Sequence, residues 1–231
     1  MNTLEKIRAN ARSKDVFEGQ LPHLGIVILM VFGASALLMP GFSDPVFLGL
    51  DSQQWALISI LLAVLHQVIV AFVFRMQLYH NLMTRLFGDK DMKVWAIIFM
   101  PLLVARPVGV FITGWLDPNQ FSGWRSFEII LGLLFVVLAA MTLHSVVKYF
   151  TIERALGADH FRDHVIAMPL VREGMFKFTS NGMYGIAFLG LWGIALLCGS
   201  WNAMVVALFQ HAYIWVHMYF TEAPDMRRIY Q

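Results

Sequence analysis

An all-α integral membrane protein, a polytopic bundle of about six membrane helices ending in a helical hairpin, is the fold this sequence predicts. Three observations predict it. Of 231 residues, 58% are hydrophobic and the mean hydropathy is +0.65, well above an ordinary soluble domain. Apolar runs recur at residues 24–39, 55–74, 94–115, 127–150, 184–198 and 201–220. The charged residues, 14% of the chain, gather between those runs.

A helix needs roughly 20 apolar residues to cross a bilayer, with a range of about 17–25. The second, third, fourth and sixth runs meet that length, and the first is marginal. The fifth is short, and only Gly199-Ser200 separates it from the sixth, so the two read as a tight helical hairpin. The runs are too long for strands, and they lack the alternating segments of a β-barrel. The chain therefore reads as one membrane domain. Residues 1–23 form a cytosolic N-terminal helix, 24–150 four membrane helices, and 151–231 a cytosolic loop with the C-terminal hairpin.

Lysine and arginine set the orientation. Lys6, Arg8, Arg12 and Lys14 precede the first run, and the connection 41–54 has no basic residue. Arg75, Arg85, Lys90 and Lys93 mark the next connection, and Arg125 stands alone in the third. Arg154, Arg162, Arg172 and Lys177 follow the fourth helix, and Arg227 and Arg228 close the chain. The alternation places both termini in the cytoplasm, in a bacterial inner membrane or the endoplasmic reticulum membrane. The N-terminal segment lacks the short apolar core and cleavage site of a signal peptide. One cysteine, Cys198, excludes an internal disulfide and a cysteine-based zinc site. With a net charge of +2 and no basic–aromatic patch, a nucleic-acid partner is not expected. A homodimer is compatible with the sequence.

Polar groups inside membrane helices are costly and point to function. Arg106 sits mid-run beside Pro107 and near Pro101, and it has two readings of equal weight. It contacts a lipid headgroup phosphate through its planar fork, or it is satisfied by proline-freed carbonyls and by His66 or Gln67. His66-Gln67 alone reads as an interhelical hydrogen bond. Lys148 snorkels, whereas His144, one turn before it, is left without a structural explanation. The spanning histidines give weak grounds for haem ligation, and His160 and His164, with Asp159 and Asp163, weak grounds for a metal site, because an acidic–histidine helix on a polar surface is usually just solvated; no metal is expected.

The last helix carries the densest chemistry. At 100° per residue His211, Trp215, Met218 and Glu222 share one stripe, and Gln210, Tyr213, Ile214, His217 and Thr221 the next. Pro224 should end the helix just past Glu222. A carboxylate at a helix C-terminus is disfavoured by the dipole and calls for a cation: Arg227 or Arg228, or a bound cationic ligand. Upstream, Gly174 to Tyr184, a stretch that includes Phe178, offers glycines for close backbone approach and, at Ser180 and Asn181, donors for a carboxylate or hydroxyl. Ser180 or Asn181 also suits the N-cap of the fifth helix.

Residues 157–161 (GADHF), 171–176 (VREGMF), 178–184 (FTSNGMY), 209–217 (FQHAYIWVH) and 221–230 (TEAPDMRRIY) together resemble the catalytic end of the phospholipid methyltransferase superfamily. Within it they are most similar to phosphatidylethanolamine N-methyltransferases of the fungal first-step type. Gly182 stands where relatives carry proline, and Thr221-Glu222 where they carry two acids. The resemblance implies an S-adenosyl-L-methionine-dependent enzyme of phospholipid synthesis, methylating the amine of phosphatidylethanolamine. It implies methyl-donor roles for Asn181, Tyr184 and Glu222. Tyr184, Tyr213, Trp215 and Tyr219 have faces for adenine or sulfonium. Lipid contacts are expected from Arg106, His144, Trp215 and Tyr219. His217 and Glu222 are the first candidates for the proton acceptor, then His211, then Asp225. Two other readings compete: carboxyl methylation of a prenylated cysteine, and a haem or transport protein.

Overall fold

The computed structural model of this chain describes residues 1–41, 45–117, 121 and 123–230. Its principal helices are α1 (Thr3–Ala9), α2 (Gln20–Leu37), α3 (Ser52–His80), α4 (Asp91–Leu116), α5 (Arg125–Ser145), α6 (Leu189–Cys198), α7 (Trp201–His217) and α8 (Ala223–Tyr230). Five stretches are long and apolar enough to cross a membrane: those holding α2, α3, α4, α5, and α7 with α8. The marginal first run is among them, because α2 begins upstream of it, at Gln20. The apolar helix Gly182–Cys198 is shorter than these, and the two termini lie at one end of the bundle. There Leu4 of α1, Leu78 and Tyr79 of α3, and Ile229 of α8 share a core.

At the opposite end the hairpin turn is built as its sequence demands. Gly199 adopts a left-handed conformation (φ 70°) after α6, and the Ser200 hydroxyl accepts the Ala203 N–H at 2.9 Å to cap α7. Asp117 accepts from the Ser200 hydroxyl (2.5 Å) and the Asn202 N–H (2.9 Å), tying the end of α4 to the turn. The Asn202 side chain bridges Met39 beyond α2 and Ser52 at the start of α3. Arg125 donates to the Leu196 carbonyl at 2.9 Å and to that of Leu197, satisfying the end of α6. These bonds join the ends of α2 through α7 where irregular backbone would otherwise face lipid.

Between the ends, α5 and α6 cross closely because both present glycine. A Cβ on Gly193 would lie 2.8 Å from the Gly132 carbonyl oxygen, and one on Gly132 would lie 3.1 Å from that of Gly193. Lipid supplies no hydrophobic force between helices, so such close contact is a main source of their association.

Sequence alone puts the end of the last helix at Pro224, and the structure overturns this. The turn Met218–Glu222 is π-helical, and the chain continues as α8 to Tyr230. Proline has no N–H for the Phe220 carbonyl four residues back. Arg75 replaces that donor: its Nη2 reaches the carbonyls of Phe220 (3.3 Å) and Thr221 (3.2 Å). Gly19, left-handed at φ 75°, lets the chain entering α2 approach the same place, where a Cβ would stand 2.7 Å from the Phe220 oxygen.

Replacing Gly193 with valine should therefore cost about 1–3 kcal/mol of stability by forcing α5 and α6 apart. Thermal unfolding in detergent checks this. Gly185→Ala, where a Cβ meets nothing within 4 Å, should cost nothing.

Candidate functional site

Around the π-helical turn, at the end that carries the termini, the last helix meets the start of the hairpin. In an ideal α-helix, residues five apart point about 140° away from each other. The wider π turn removes much of that separation, and His217 Nε2 lies 3.6 Å from Glu222 Oε1. The Tyr184 hydroxyl, from the short helix Gly182–Gly185, donates to Glu222 Oε2. Each carboxylate oxygen thus faces a different side chain, and 17% of the Glu222 side chain stays open to solvent. Among the described residues no lysine or arginine pairs with Glu222. The Trp215 ring stands 6.2 Å from that of Tyr184, edge to face. Behind them His217 is fully buried and lies edge-on to His23 of α2 at 5.8 Å.

One helical turn on, Asp225 is in a different position. Arg75 Nε reaches its Oδ1 at 3.0 Å and His160 Nε2 reaches its Oδ2 at 3.5 Å, with all three side chains at most 1% exposed. His160 Nδ1 meets Asp159 at 2.9 Å, and the Tyr230 hydroxyl donates to Asp159 at 3.2 Å. Burial disfavours a charged His160, but its hydrogen bonds to Asp159 and Asp225 and their charges outweigh this and raise it to about 10. Burial likewise opposes ionisation of Asp159, yet the bond from His160 and its charge hold the carboxyl below its usual range. Arg75 also donates to the Asp15 carbonyl at 2.8 Å, so α3, α8, the segment before α2 and the loop after α5 share one ionic knot. The loop has a second anchor in Arg162, which pairs with Asp91 at 2.5 Å.

Several sequence expectations change here. Glu222 lies inside a continuous helix, so the dipole does not disfavour it. Arg228 is not its partner: it donates to Glu18 (2.6 Å) and Asp15 (3.3 Å), while Arg227 is exposed. Asp225 is consumed by Arg75 and His160 and is no free base. His211 lies three turns before Glu222, roughly 16 Å along the axis, where its Nδ1 accepts from Trp192 at 3.0 Å. Gly174 does leave room for close approach, but Ser145 and Tyr149 fill it; a Cβ there would lie 2.5 Å from the Ser145 hydroxyl. Phe178, Ser180 and Asn181 are exposed, and no side chain caps the hairpin; the Thr179 hydroxyl accepts the Asn181 N–H instead. His144 is exposed on α5, and Tyr219 is 68% exposed beside Phe220, away from the carboxylate. Tyr213 is fully buried in the bundle rather than at the rim.

Arg106 and His66 also depart from the satisfied reading. Neither Nε and Nη2 of Arg106 nor either ring nitrogen of His66 has a hydrogen-bond partner, and the guanidinium lies over the Phe188 ring at 5.3 Å. The proline-freed carbonyls of α4 therefore do not hold Arg106. His160, expected to be solvated, is buried in the knot. Among the described residues no three His, Cys, Asp or Glu side chains converge as a metal-ligand set. Sequence reasoning missed Arg75, His160 and His23; the one available signal was an arginine and two histidines close to apolar runs.

Fold and site define a polytopic α-helical membrane protein with an unpaired carboxylate, held by tyrosine and histidine, at one end of the bundle. Residues 127–231 match the family model described as phospholipid methyltransferase, as the motif resemblance implies. The chain is also similar to phosphatidylethanolamine N-methyltransferase of Saccharomyces cerevisiae (strain RM11-1a), 26% identical over 148 residues, 61% of this chain and 16% of that protein. Phosphatidylethanolamine N-methyltransferase 1 of Vanderwaltozyma polyspora is 24% identical over 136 residues, 58% of this chain and 15% of that protein. This chain thus spans about a sixth of the length of the curated relatives it matches. No solved structure matches it significantly.

The ionic knot sets a pH dependence. A folded-state value raised from 6.5 to about 10 gives His160 a stabilising contribution that is complete below pH 6.5 and fades as the pH rises to 10. His160→Gln should lose most stability relative to wild type at pH 6.5, with the gap narrowing toward pH 10. Unfolding midpoints across that range decide it; a constant gap contradicts the assignment.

Proposed function

We propose that the chain transfers a methyl group from S-adenosyl-L-methionine to the amine of phosphatidylethanolamine, at the rim formed by Glu222, Tyr184 and His217. The observation that carries this reading is a carboxylate with no cation of its own. Glu222 faces a partly open rim with no lysine or arginine against it among the described residues, while nearby Asp225 holds both Arg75 and His160. Such a group accepts a cation from outside the chain, and both substrates bring one, a sulfonium and an ammonium. The similarity to named phosphatidylethanolamine N-methyltransferases supports the same class of reaction.

Bound at this rim, S-adenosyl-L-methionine supplies an electrophilic methyl group and a positive charge. Glu222 offers that charge a counter-ion, and the Tyr184 hydroxyl fixes the carboxylate by holding Oε2. Trp215, edge-on to Tyr184, provides an aromatic face for a cation. The lipid amine must lose a proton before its nitrogen can act as nucleophile. With an ammonium pKa near the lysine value of about 10.4, that costs roughly 4–5 kcal/mol at pH 7. His217 is the acceptor the arrangement favours: both ring nitrogens lack a hydrogen bond, and Nε2 faces Glu222, which stabilises the resulting imidazolium. Much of the rate comes from alignment of the two substrates rather than from base strength.

The lysine and arginine alternation supports a cytosolic position for this rim, in a bacterial inner membrane or the endoplasmic reticulum membrane. The soluble donor then arrives from the cytosol and the lipid from the bilayer.

The purified chain, given labelled donor and phosphatidylethanolamine vesicles, tests the roles. Glu222→Gln should raise the donor KM about 10-fold or more, a charge-assisted contact being worth roughly 1.5–3 kcal/mol. His217→Ala should lower kcat by about 100-fold with donor affinity retained. Wild-type rates in both variants, at equal protein level, contradict the assignment, as does methylation of a prenylcysteine analogue in preference to the lipid.

A further inference from the structure

Halfway along α4 the bundle holds a charge it does not neutralise. Arg106 is 4% exposed, and its Nε and Nη2 have no hydrogen-bond partner. Among the described residues no carboxylate pairs with it. α4 packs against α7, which carries Gln210, Tyr213 and His217, and against α3, which carries His66; the Tyr213 and His217 rings both face that of His23, at 5.7 and 5.8 Å. They too are unsatisfied: the Tyr213 hydroxyl and both nitrogens of His66 and of His217 lack hydrogen bonds. The Gln210 amide, one turn before Tyr213, is fully buried with neither its oxygen nor its nitrogen bonded. An unpaired guanidinium in a membrane interior costs several kcal/mol. Donors gathered around one, with no acid among them, define a place for an anion.

Access is also present. A cavity of about 270 Å³ opens between α2 and α3, walled by Val27, Val64, Val68 and Phe72, with His23 and Tyr213 on its inner side. Most of its wall is apolar, as an acyl chain requires, and Gln20 and Arg75 line it as well. Tyr213 belongs both to this wall and to the surroundings of Arg106, so the groove leads to the unpaired charge. His217 lies one turn beyond Tyr213 on α7, with its Nε2 3.6 Å from Glu222.

We propose that Arg106, with the Tyr213 hydroxyl and the Gln210 amide, is a buried anion seat for the phosphodiester of a membrane phospholipid admitted through the groove between α2 and α3. The two non-bridging oxygens of a phosphodiester match the parallel N–H groups of a guanidinium, and its single negative charge cancels that of Arg106. A phosphate held here sets an ethanolamine headgroup toward His217, one turn beyond Tyr213 on α7. The inference rests on the proposed methyl transfer only for the identity of that headgroup; the seat itself requires no reaction.

The test uses the full-length chain in a neutral detergent and follows tryptophan fluorescence during titration. The probe is didecanoyl phosphatidylmethanol, a phosphodiester lipid without an amine; didecanoylglycerol and inorganic phosphate are the controls. Wild type should bind phosphatidylmethanol saturably, and neither control. Arg106→Gln should weaken that binding at least 10-fold, Arg106→Lys less, and Tyr213→Phe a few-fold. If Arg106→Gln does not fold, the lysine and phenylalanine variants carry the test. Equal binding by wild type and the Arg106 variants, or equal binding of didecanoylglycerol, overturns the seat. Loss of donor affinity in Arg106→Gln or Arg106→Lys with lipid binding unchanged also overturns it and gives the anion to the donor's carboxylate. A chain that binds phosphatidylmethanol but methylates nothing keeps the seat and loses the proposed reaction; one that methylates without binding the probe does the reverse.

Discussion

The buried pair between Arg75 and Asp225 is the contact on which the termini end of the molecule depends. At 3.0 Å and almost wholly out of solvent, it joins α3 to α8, and its arginine also caps the two carbonyls around the π turn. Without that cap, Pro224 would end the helix and Asp225 would have no fixed place. With it, the helix runs on, the turn widens, and Glu222 comes to face Tyr184 and His217. A buried ion pair is weak evidence for stability as such, because desolvation offsets much of the attraction. Its effect here is to select one geometry among several that an apolar helix end would allow.

The same pair determines what Glu222 lacks. Arg75 and His160 are both committed to Asp225, and Arg228 to Glu18 and Asp15. These three cations are therefore engaged elsewhere, and among the described residues no lysine or arginine pairs with the carboxylate at the open rim. Charge is arranged in the opposite sense deeper in the bundle, where Arg106 has donors around it and no acid. A zwitterionic lipid carries the matching pair, an anion next to a cation on a short arm. His217 lies between Tyr213 and Glu222 along the same helix.

The membrane helices were legible in the sequence because apolar length is a local property. The hairpin turn was legible for the same reason: Gly199 and Ser200 have the residue types that a left-handed cap and an N-cap need. The family resemblance also lay in local motifs, within the region that the family match covers from residue 127 onward. What failed was pairing across elements. Pro224 reads as a helix end to anyone who cannot see Arg75, which lies 149 positions earlier in the chain. Gly174 reads as room for a ligand until Ser145 and Tyr149 are found in that room. His144 and Tyr219 are chemically suited to a site, yet helix phase turns them to the outer face. His160 reads as a solvated surface residue because its partner, Asp225, comes from the other end of the fold.

The most direct measurement is the mass analysis of lipids from a host that makes phosphatidylethanolamine but no methylated form of it, with and without this chain in its membranes. The account predicts phosphatidylethanolamine species heavier by one or more N-methyl groups, present with the wild-type chain and lost with Glu222→Gln at equal expression. An unchanged lipid profile with the chain correctly inserted would contradict it.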